Sequence, residues 1–271
     1  MKLFKLLLIA LLIKSITVQA QTKKVLFVMS AAKELRLENG KIYPETGVFL
    51  SEFYLVYKDI VNLGYEIEFA TPNGIMSSIE KESYDKKYWG KRDTLISEAG
   101  NFVRHDKKFD NSLTLEQAFE NIHTYSGMVI PGGQGLMVDL FYDHDIPKIL
   151  KSFSLYGKPV GLICHAPALI LSIPKEDNPF IGYKVNSVTG LEELFIENFV
   201  MKGKPKKRKI GKQLAKLGLK YVQGKPAGNF GVKDRELVTS QNPYSNEAFS
   251  KLYLEALNEY AQKGTLKIIA Q

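Results

Sequence analysis

Cys164 and His165 stand side by side where a short apolar segment meets a turn, a position suited to a reactive thiol. The run from Val160 to Ile163 has the length of a buried strand, and Pro167 suits the first turn of a following helix. A thiol at a helix N-terminus feels the positive end of the helix dipole, which favours the thiolate. Strand, sharp turn and helix are typical of a nucleophile elbow, although a lone cysteine after a strand also serves as a small hydrophobic residue.

Glu52 is an acid that could assist such a thiol. It lies on the apolar stripe of an amphipathic segment, one helical turn from Val48 and from Val56. A carboxylate there is either an edge residue that reaches solvent or a buried acid with a raised pKa near the site. The sequence leaves both interpretations open.

A glycine-rich turn, Gly132-Gly133-Gln134-Gly135, follows a third predicted strand. Its backbone N–H groups could hold a developing oxyanion. The turn does not fit the dinucleotide pattern Gly-x-Gly-x-x-Gly, and no Walker-type Gly-Lys-Ser/Thr follows, so nucleotide binding is disfavoured. The remaining histidines show no ligand-like spacing, so we expect no metal and no cofactor; they are His105, His123 and His144.

An α/β domain of residues 21–271 is predicted to position these groups. Apolar runs and alternation predict strands at 24–30, 65–71, 126–131, 160–163, 185–189, 221–222, 230–232 and 236–239. Periodicity predicts helices at 48–63, 113–122, 146–156 and 245–262. The first strand, helix and second strand form a βαβ unit, and ligands in such sheets bind at the carboxyl ends of the strands. The segment 77–112 lacks clear periodicity and is interpreted as an insertion or lid.

Residues 1–20 have the pattern of a secretory signal peptide, with a basic start, an apolar core at 6–13 and a small-residue site before Gln21. We therefore expect an exported protein, periplasmic or secreted, with cleavage after Ala20 and no stable membrane insertion. The full chain carries a net charge of +8, and removal of the three leader lysines leaves about +5. This is mildly basic, and we expect no nucleic-acid partner. The basic run 202–212 is interpreted as a solvated loop because it has no interleaved aromatic residues.

Five short motifs, in order over residues 24–262, resemble the DJ-1/PfpI superfamily and specifically its Hsp31-like branch, within the class I glutamine amidotransferase-like fold. They are Thr46-Gly47-Val48-Phe49 with Glu52, Pro131-Gly132-Gly133-Gln134-Gly135, Ile163-Cys164-His165-Ala166-Pro167, Val188-Thr189-Gly190, and Leu237-Val238-Thr239-Ser240-Gln241-Asn242-Pro243.

The resemblance implies a flavodoxin-like three-layer sandwich with a mostly parallel central sheet, an elbow cysteine and a homodimer. The family's cysteine maps onto Cys164, its adjacent histidine onto His165 and the glutamate that touches the thiol onto Glu52. The oxyanion and substrate-binding positions then fall on Gly132, Gly133, Gln134 and Ala166. Relatives often carry Gly-Gly-His-Gly where this chain has Gln134, and Cys-His-Gly-Pro where it has Ala166. A third acid is implied shortly after Gly190, where Glu192, Glu193 and Glu197 compete.

The resemblance implies three alternative functions. The first is a cysteine enzyme that acts on small reactive carbonyls, a glutathione-independent glyoxalase or deglycase of the glyoxalase III type (a hydro-lyase), converting methylglyoxal to lactate. In it, Cys164 attacks the aldehyde and Glu52 or His165 moves the proton. The second is a stress-related holdase chaperone or redox-sensing binding protein, for which an exposed apolar patch is expected. The third is a cysteine hydrolase or peptidase.

Overall fold

A seven-stranded, mostly parallel sheet lies at the centre of the computed structural model, which describes residues 23–269, with side chains to residue 263. The strand order is β10-β11-β7-β6-β1-β4-β5, and only the edge strand β10 runs antiparallel to its neighbour. The strands are β1 (Lys24–Val28), β2 (Glu34–Arg36), β3 (Ile42–Pro44), β4 (Glu66–Thr71), β5 (Leu113–Thr114), β6 (Gly127–Ile130), β7 (Val160–Ile163), β8 (Lys184–Val185), β9 (Lys220–Tyr221), β10 (Gly231–Asp234) and β11 (Leu237–Ser240). Two small sheets, β2-β3 and β8-β9, lie outside the main one.

Helices cover both faces of the sheet, which gives the predicted three-layer α/β fold. They are α1 (Leu50–Asn62), α2 (Ile96–His105), α3 (Lys107–Asp110), α4 (Leu115–Glu120), α5 (Asp145–Leu155), α6 (Gly190–Phe195), α7 (Ile210–Leu217) and α8 (Asn246–Ile269). Helix α1 packs against α8, and α4 packs against α5. No helix within residues 23–269 combines the length and the apolar character needed to cross a bilayer.

Two glycines let α8 approach the sheet closely. A Cβ at Gly161 would lie 2.6 Å from the Phe249 ring, and one at Gly127 would lie 2.7 Å from the Tyr253 hydroxyl oxygen. Tyr253 uses this space to donate a hydrogen bond from its hydroxyl to the Met128 carbonyl, at 2.8 Å. In the core, Phe53 of α1 packs on Phe27 with ring centroids 5.8 Å apart. This aromatic contact contributes about 1 kcal/mol beyond the burial of the two side chains.

The predicted parallel strands are confirmed, with ends that shift by one or two residues. The prediction of a helix over 113–122 was wrong at its start, because Leu113 and Thr114 pair with the end of β4. Thr114 then caps α4 in a capping box with Gln117. The strand predicted at 185–189 is also shorter, since β8 ends at Val185 and pairs with β9 outside the main sheet.

The segment 77–112 contains α2 and α3, which periodicity did not predict. The buried face of α2 consists of Ala99, Gly100 and Val103, so its apolar stripe is weak in the sequence. Trp89 is buried and donates its indole N–H to the Ser83 carbonyl at 2.9 Å. The proposed signal peptide, residues 1–20, lies outside the described residues.

Candidate active site

The backbone at Cys164 turns sharply between β7 and a short 3-10 helix, Ala166–Ser172. Cys164 has φ +60°, in the left-handed region, which disfavours a residue with a side chain by about 1–2 kcal/mol. Two backbone hydrogen bonds hold it there: its N–H donates to the Ser240 carbonyl at 2.8 Å, and its carbonyl accepts from the Val188 N–H at 2.9 Å. The elbow conformation therefore depends on β11 and on the chain after β8.

Glu52 lies in the first turn of α1 and is fully buried beside the thiol. Gly132 makes room for it, because a Cβ there would lie 2.6 Å from the Cys164 Cβ and closer still to the Glu52 carboxyl group. Burial raises the pKa of Glu52 well above its ordinary value. The Cys164 thiol and the Gly132 amide counteract this shift, but within residues 23–263 neither carboxyl oxygen has an aligned hydrogen-bond partner. Of the two interpretations, the buried acid with a raised pKa is correct.

The Cys164 thiol is 6% exposed and has proton donors around it. Burial raises its pKa, and an ionised Glu52 would raise it further. While Glu52 is protonated, that repulsion is absent and the carboxyl O–H can donate to sulfur instead. A thiolate at Cys164 is therefore less disfavoured when Glu52 carries its proton than when Glu52 is ionised.

His165 is buried and contacts three groups through its two ring nitrogens. Its Nδ1 lies 3.2 Å from Cys164 Sγ. Its Nε2 lies 2.9 Å from Arg208 Nη1 and 3.2 Å from Gln134 Nε2. Burial, and then the Arg208 charge, hold the pKa of His165 well below its usual range, so the imidazole is neutral.

Arg208, which the sequence analysis did not single out, lies beside His165. No hydrogen bond joins His165 to any of the three predicted acids within the described chain. Glu197 instead forms an ion pair with Arg208, with Oε1 3.4 Å from Nε. Glu193 is buried near Arg208, and burial raises its pKa to about 7. Two of the three candidate acids therefore lie near Arg208.

Glu192, the remaining candidate, has a structural task. It completes the capping box of α6 with Thr189 and accepts hydrogen bonds from the Asn242 amide and the Ala227 N–H, both at 2.8 Å. These bonds tie α6 to the loops after β9 and β11. Glu192 also lines the cavity above the thiol.

The basic run 202–212 is a solvated loop for most of its length, as interpreted, but not at Arg208. The Arg208 residue is 9% exposed, whereas the lysines around it are exposed; they are Lys202, Lys204, Lys206, Lys207, Lys209 and Lys212. The Gln213 side chain donates to the Arg208 carbonyl and fixes the loop at the start of α7.

The glycine-rich turn lies beside the thiol. Gly133 has φ +120°, and a Cβ there would lie 2.9 Å from the Phe49 nitrogen and closer to the Gly47 carbonyl. Gly133 and Gln134 line the cavity. Gly132 packs behind them against Glu52 and Cys164, and Ala166 is fully buried at the start of the 3-10 helix.

A cavity of about 400 Å³ opens above Cys164 and His165. Its walls are largely aromatic and aliphatic, with carboxylates at a few points; among the lining residues are Tyr43, Phe49, Glu80, Glu82, Tyr88, Val188, Leu191, Phe195, Ile196, Pro243 and Tyr244. Such a volume suits a small molecule or one side chain of a larger substrate.

A sequence profile of the DJ-1/PfpI family matches residues 46–176. The protein/nucleic acid deglycase HchA of Escherichia coli O7:K1 (strain IAI39) is 26% identical over 242 residues, which cover 88% of this chain and 82% of HchA. The chain belongs to the DJ-1/PfpI family. The match along most of HchA places it in the Hsp31-like branch.

Solved structures share the fold of this DJ-1/PfpI protein. The 24 kDa rapid encystment protein of Francisella tularensis has a TM-score of 0.71 at 22% identity, covering 87% of this chain and 99% of that one. Glyoxalase III of Candida albicans has a TM-score of 0.67 at 22% identity, covering 88% and 98%. At these identities the likeness supports the fold alone.

Glu80 is a site residue that sequence reasoning missed. It lies in the unpatterned segment 77–112, so no periodicity marked it as buried. Its carboxylate accepts from the Thr46 hydroxyl at 3.3 Å and from the Gln134 N–H. Burial raises the pKa of Glu80 to about 7.

Glu80→Gln is expected to stabilise this protein at pH 7 and above. Because the folded pKa exceeds the ordinary value of 4.5, the folded state holds a proton that the unfolded state has lost, and stability falls as pH rises from about 4.5 to about 7. Glutamine keeps an oxygen that accepts the hydrogen bonds from Thr46 and Gln134. Because its side chain does not ionise, it removes this loss of folding stability, which is about 2–3 kcal/mol. Urea unfolding from pH 4.5 to 8 measures it: the two proteins should converge at pH 4.5, and a gap that does not grow with pH would contradict the assignment.

Asp143, His144 and Asp145 bring potential metal-ligand atoms within 4.8 Å of one another. Lys148 already pairs with Asp145 at 2.8 Å, and His144 is exposed. The cluster lies away from the residues that line the thiol cavity. His105 and His123 are also exposed.

Proposed function

We propose that this protein is a cysteine-dependent enzyme for small reactive carbonyls, of the glutathione-independent glyoxalase or deglycase type. The observation that carries the proposal is the elbow thiol of Cys164 between the buried Glu52, whose pKa burial raises, and the Nδ1 of His165, at the base of a cavity of about 400 Å³. The cavity suits a compact aldehyde, and the buried acid suits proton transfer between adjacent carbons.

The first step joins the Cys164 sulfur to the aldehyde carbon of methylglyoxal, while the Glu52 carboxylic acid gives its proton to the aldehyde oxygen. The product is a neutral hemithioacetal and a Glu52 carboxylate. The Gly133 backbone, which lines the cavity, is the proposed oxyanion support. No external cofactor enters this step.

In the second step, Glu52 takes the hydrogen from the former aldehyde carbon and returns it to the neighbouring ketone carbon, and the hydroxyl proton passes between the two oxygens. The first carbon is oxidised and the second is reduced within one molecule. Water then attacks the resulting lactyl thioester, the thiolate leaves, and the water proton returns to Glu52. Lactate is released, and the starting state of the pair is restored.

A likeness in sequence supports this reaction class: HchA, similar along 88% of this chain, is described as a protein/nucleic acid deglycase. The Candida albicans structure, described as a glyoxalase III, shares the fold. The proposal extends that chemistry to the Cys164 site.

Lactate formation from methylglyoxal without glutathione tests the proposal. We expect one lactate for each methylglyoxal consumed, and loss of turnover after the thiol is alkylated with iodoacetamide. In D2O, deuterium content at C2 of lactate reports whether the shuttled proton exchanges with solvent. Absence of lactate, or unchanged turnover after complete alkylation, would exclude this reaction.

A second function, holdase chaperoning, is favoured by one feature. Four exposed apolar side chains lie beside the cavity, on α6 and on the π-helical turn that follows it, Ile196–Val200. We call them the mouth patch: Leu191 (66% exposed), Leu194 (50%), Phe195 (57%) and Phe199 (69%). Contiguous exposed apolar surface commonly marks an interaction site. Suppression of client aggregation that survives thiol alkylation but is lost in Leu194→Ser with Phe199→Ser would support it; suppression unaffected by those substitutions would exclude the patch.

A further inference from the structure

Arg208 approaches His165 on the side away from the thiol. A guanidinium group carries only donors and stays protonated, so Nη1 at 2.9 Å from Nε2 must donate to that nitrogen. The second contact agrees: Arg208 Nη2 donates to Gln134 Oε1 at 2.9 Å, which turns the Gln134 NH2 group toward the same Nε2 at 3.2 Å. Two donors therefore converge on His165 Nε2.

A neutral imidazole has one protonated nitrogen and one lone pair in the ring plane. With Nε2 accepting, the proton must reside on Nδ1, which lies 3.2 Å from Cys164 Sγ. We propose that Arg208 is a positioning residue that locks His165 as the Nδ1–H tautomer and makes it a fixed hydrogen-bond donor to Cys164. A base that deprotonates the thiol would need its lone pair on Nδ1, so His165 does not take that role.

The surroundings keep Arg208 in place. Glu197 pairs with its Nε, and the charges of Glu193 and Glu80 also act favourably on the guanidinium. Glu193 and Glu197 therefore act on Arg208 and reach His165 only through it. An acid directly on Nε2 would instead hold a proton there and leave Nδ1 free to accept.

One consequence rests on the proposed function: with His165 limited to donation, proton transfer between substrate carbons falls to Glu52. The tautomer itself does not depend on that reaction. It is measured in the free protein, and a protein that showed this tautomer but no methylglyoxal turnover would overturn the proposed function while leaving the inference standing.

Nitrogen-15 NMR of the histidine-labelled protein tests the tautomer, since protonated and unprotonated imidazole nitrogens resonate in well-separated regions. His165→Asn assigns the signals among the four histidines. We expect a protonated Nδ1 and an unprotonated Nε2 for His165, unchanged from pH 6 to pH 8. If His165 of the wild-type protein carries its proton on Nε2, or is doubly protonated between pH 6 and pH 8, the proposal is wrong.

Substitution of Arg208 tests its role. Arg208→Met should produce a mixed or titrating His165 and lower the iodoacetamide alkylation rate of Cys164 at pH 7 by about tenfold, as expected when the thiol pKa rises by about one unit. Arg208→Lys, which keeps a cationic donor, should retain the tautomer and most of the rate. Lys206→Met, in the same loop but exposed, is the matched control and should change neither.

An unpaired Glu197 could prevent Arg208→Met from folding, and the double variant Arg208→Met, Glu197→Gln removes that charge. If either folded Met variant keeps a single Nδ1–H tautomer and the wild-type alkylation rate, Arg208 is not the residue that locks His165.

Discussion

Replacement of Cys164 by serine is expected to lower kcat/KM for methylglyoxal by at least about a thousandfold while the fold is retained. The serine hydroxyl matches the thiol in shape, but it does not ionise under the conditions in which a thiolate forms. The variant therefore lacks the nucleophile that Glu52 and His165 assist. Steady-state turnover and circular dichroism measure the two parts of this result, and serine activity within tenfold of the wild type would show that the thiol does not attack the substrate.

The paired variants Cys164→Ala and Cys164→Gly separate chemistry from backbone strain. Both lack the nucleophile and should be equally inactive. Because residue 164 has φ +60°, the glycine variant should be about 1 kcal/mol more stable than the alanine variant in urea unfolding. Equal stability would mean that the left-handed conformation at the elbow stores no strain.

The sheet could be predicted from the sequence because its strands are buried on both faces and are therefore continuously apolar. Val25 to Val28 and Val160 to Ile163 are fully buried central strands and were predicted as such. Helix α2 could not be predicted in the same way, since Ala99 and Gly100 face the core and leave little hydrophobic contrast. Hydrophobic periodicity reveals a buried helix face only where that face consists of large apolar side chains.

The parts of the site that are formed by residues close together in the sequence could be predicted. An apolar strand, Cys164-His165 and Pro167 follow one another in the chain, whereas the apolar stripe around Glu52 left open whether its carboxyl group is buried. Arg208 is 43 residues from His165 and lies within a run of exposed lysines, so its composition points to the surface. Only the tertiary fold, through the loop before α7 and the ion pair with Glu197, brings it inside. The ion pair of Glu197, one of the acids after Gly190, likewise depends on that loop, because its partner is Arg208.

Glu52→Gln is expected to lower kcat for methylglyoxal by about 10²–10⁴-fold, the contribution typical of a positioned general acid-base. Glutamine fills the same buried space but cannot protonate the aldehyde oxygen, so the hemithioacetal should form more slowly, with its proton taken from water. It cannot accept the proton from the substrate carbon, and His165 faces the thiol with a protonated Nδ1. The variant should therefore accumulate the hemithioacetal, which native mass spectrometry of the protein in excess methylglyoxal detects as one added methylglyoxal.

The stability of Glu52→Gln shows whether its lower activity comes from the missing acid or from a damaged fold. The pKa of Glu52 is raised above its ordinary 4.5, so the folded wild type retains a proton that the unfolded chain releases, and its stability declines as pH rises from about 4.5 towards the folded pKa. Glu52→Gln removes this decline and should unfold at higher urea concentration than the wild type at pH 8, with similar stability at pH 4.5. Glu52→Asp keeps the acid but withdraws it by one methylene, so it should recover part of the activity that glutamine loses. If Glu52→Gln turned over methylglyoxal within threefold of the wild type, the proton between the two carbons would have to travel by another group, and the buried carboxyl beside Cys164 would serve only to tune the thiol.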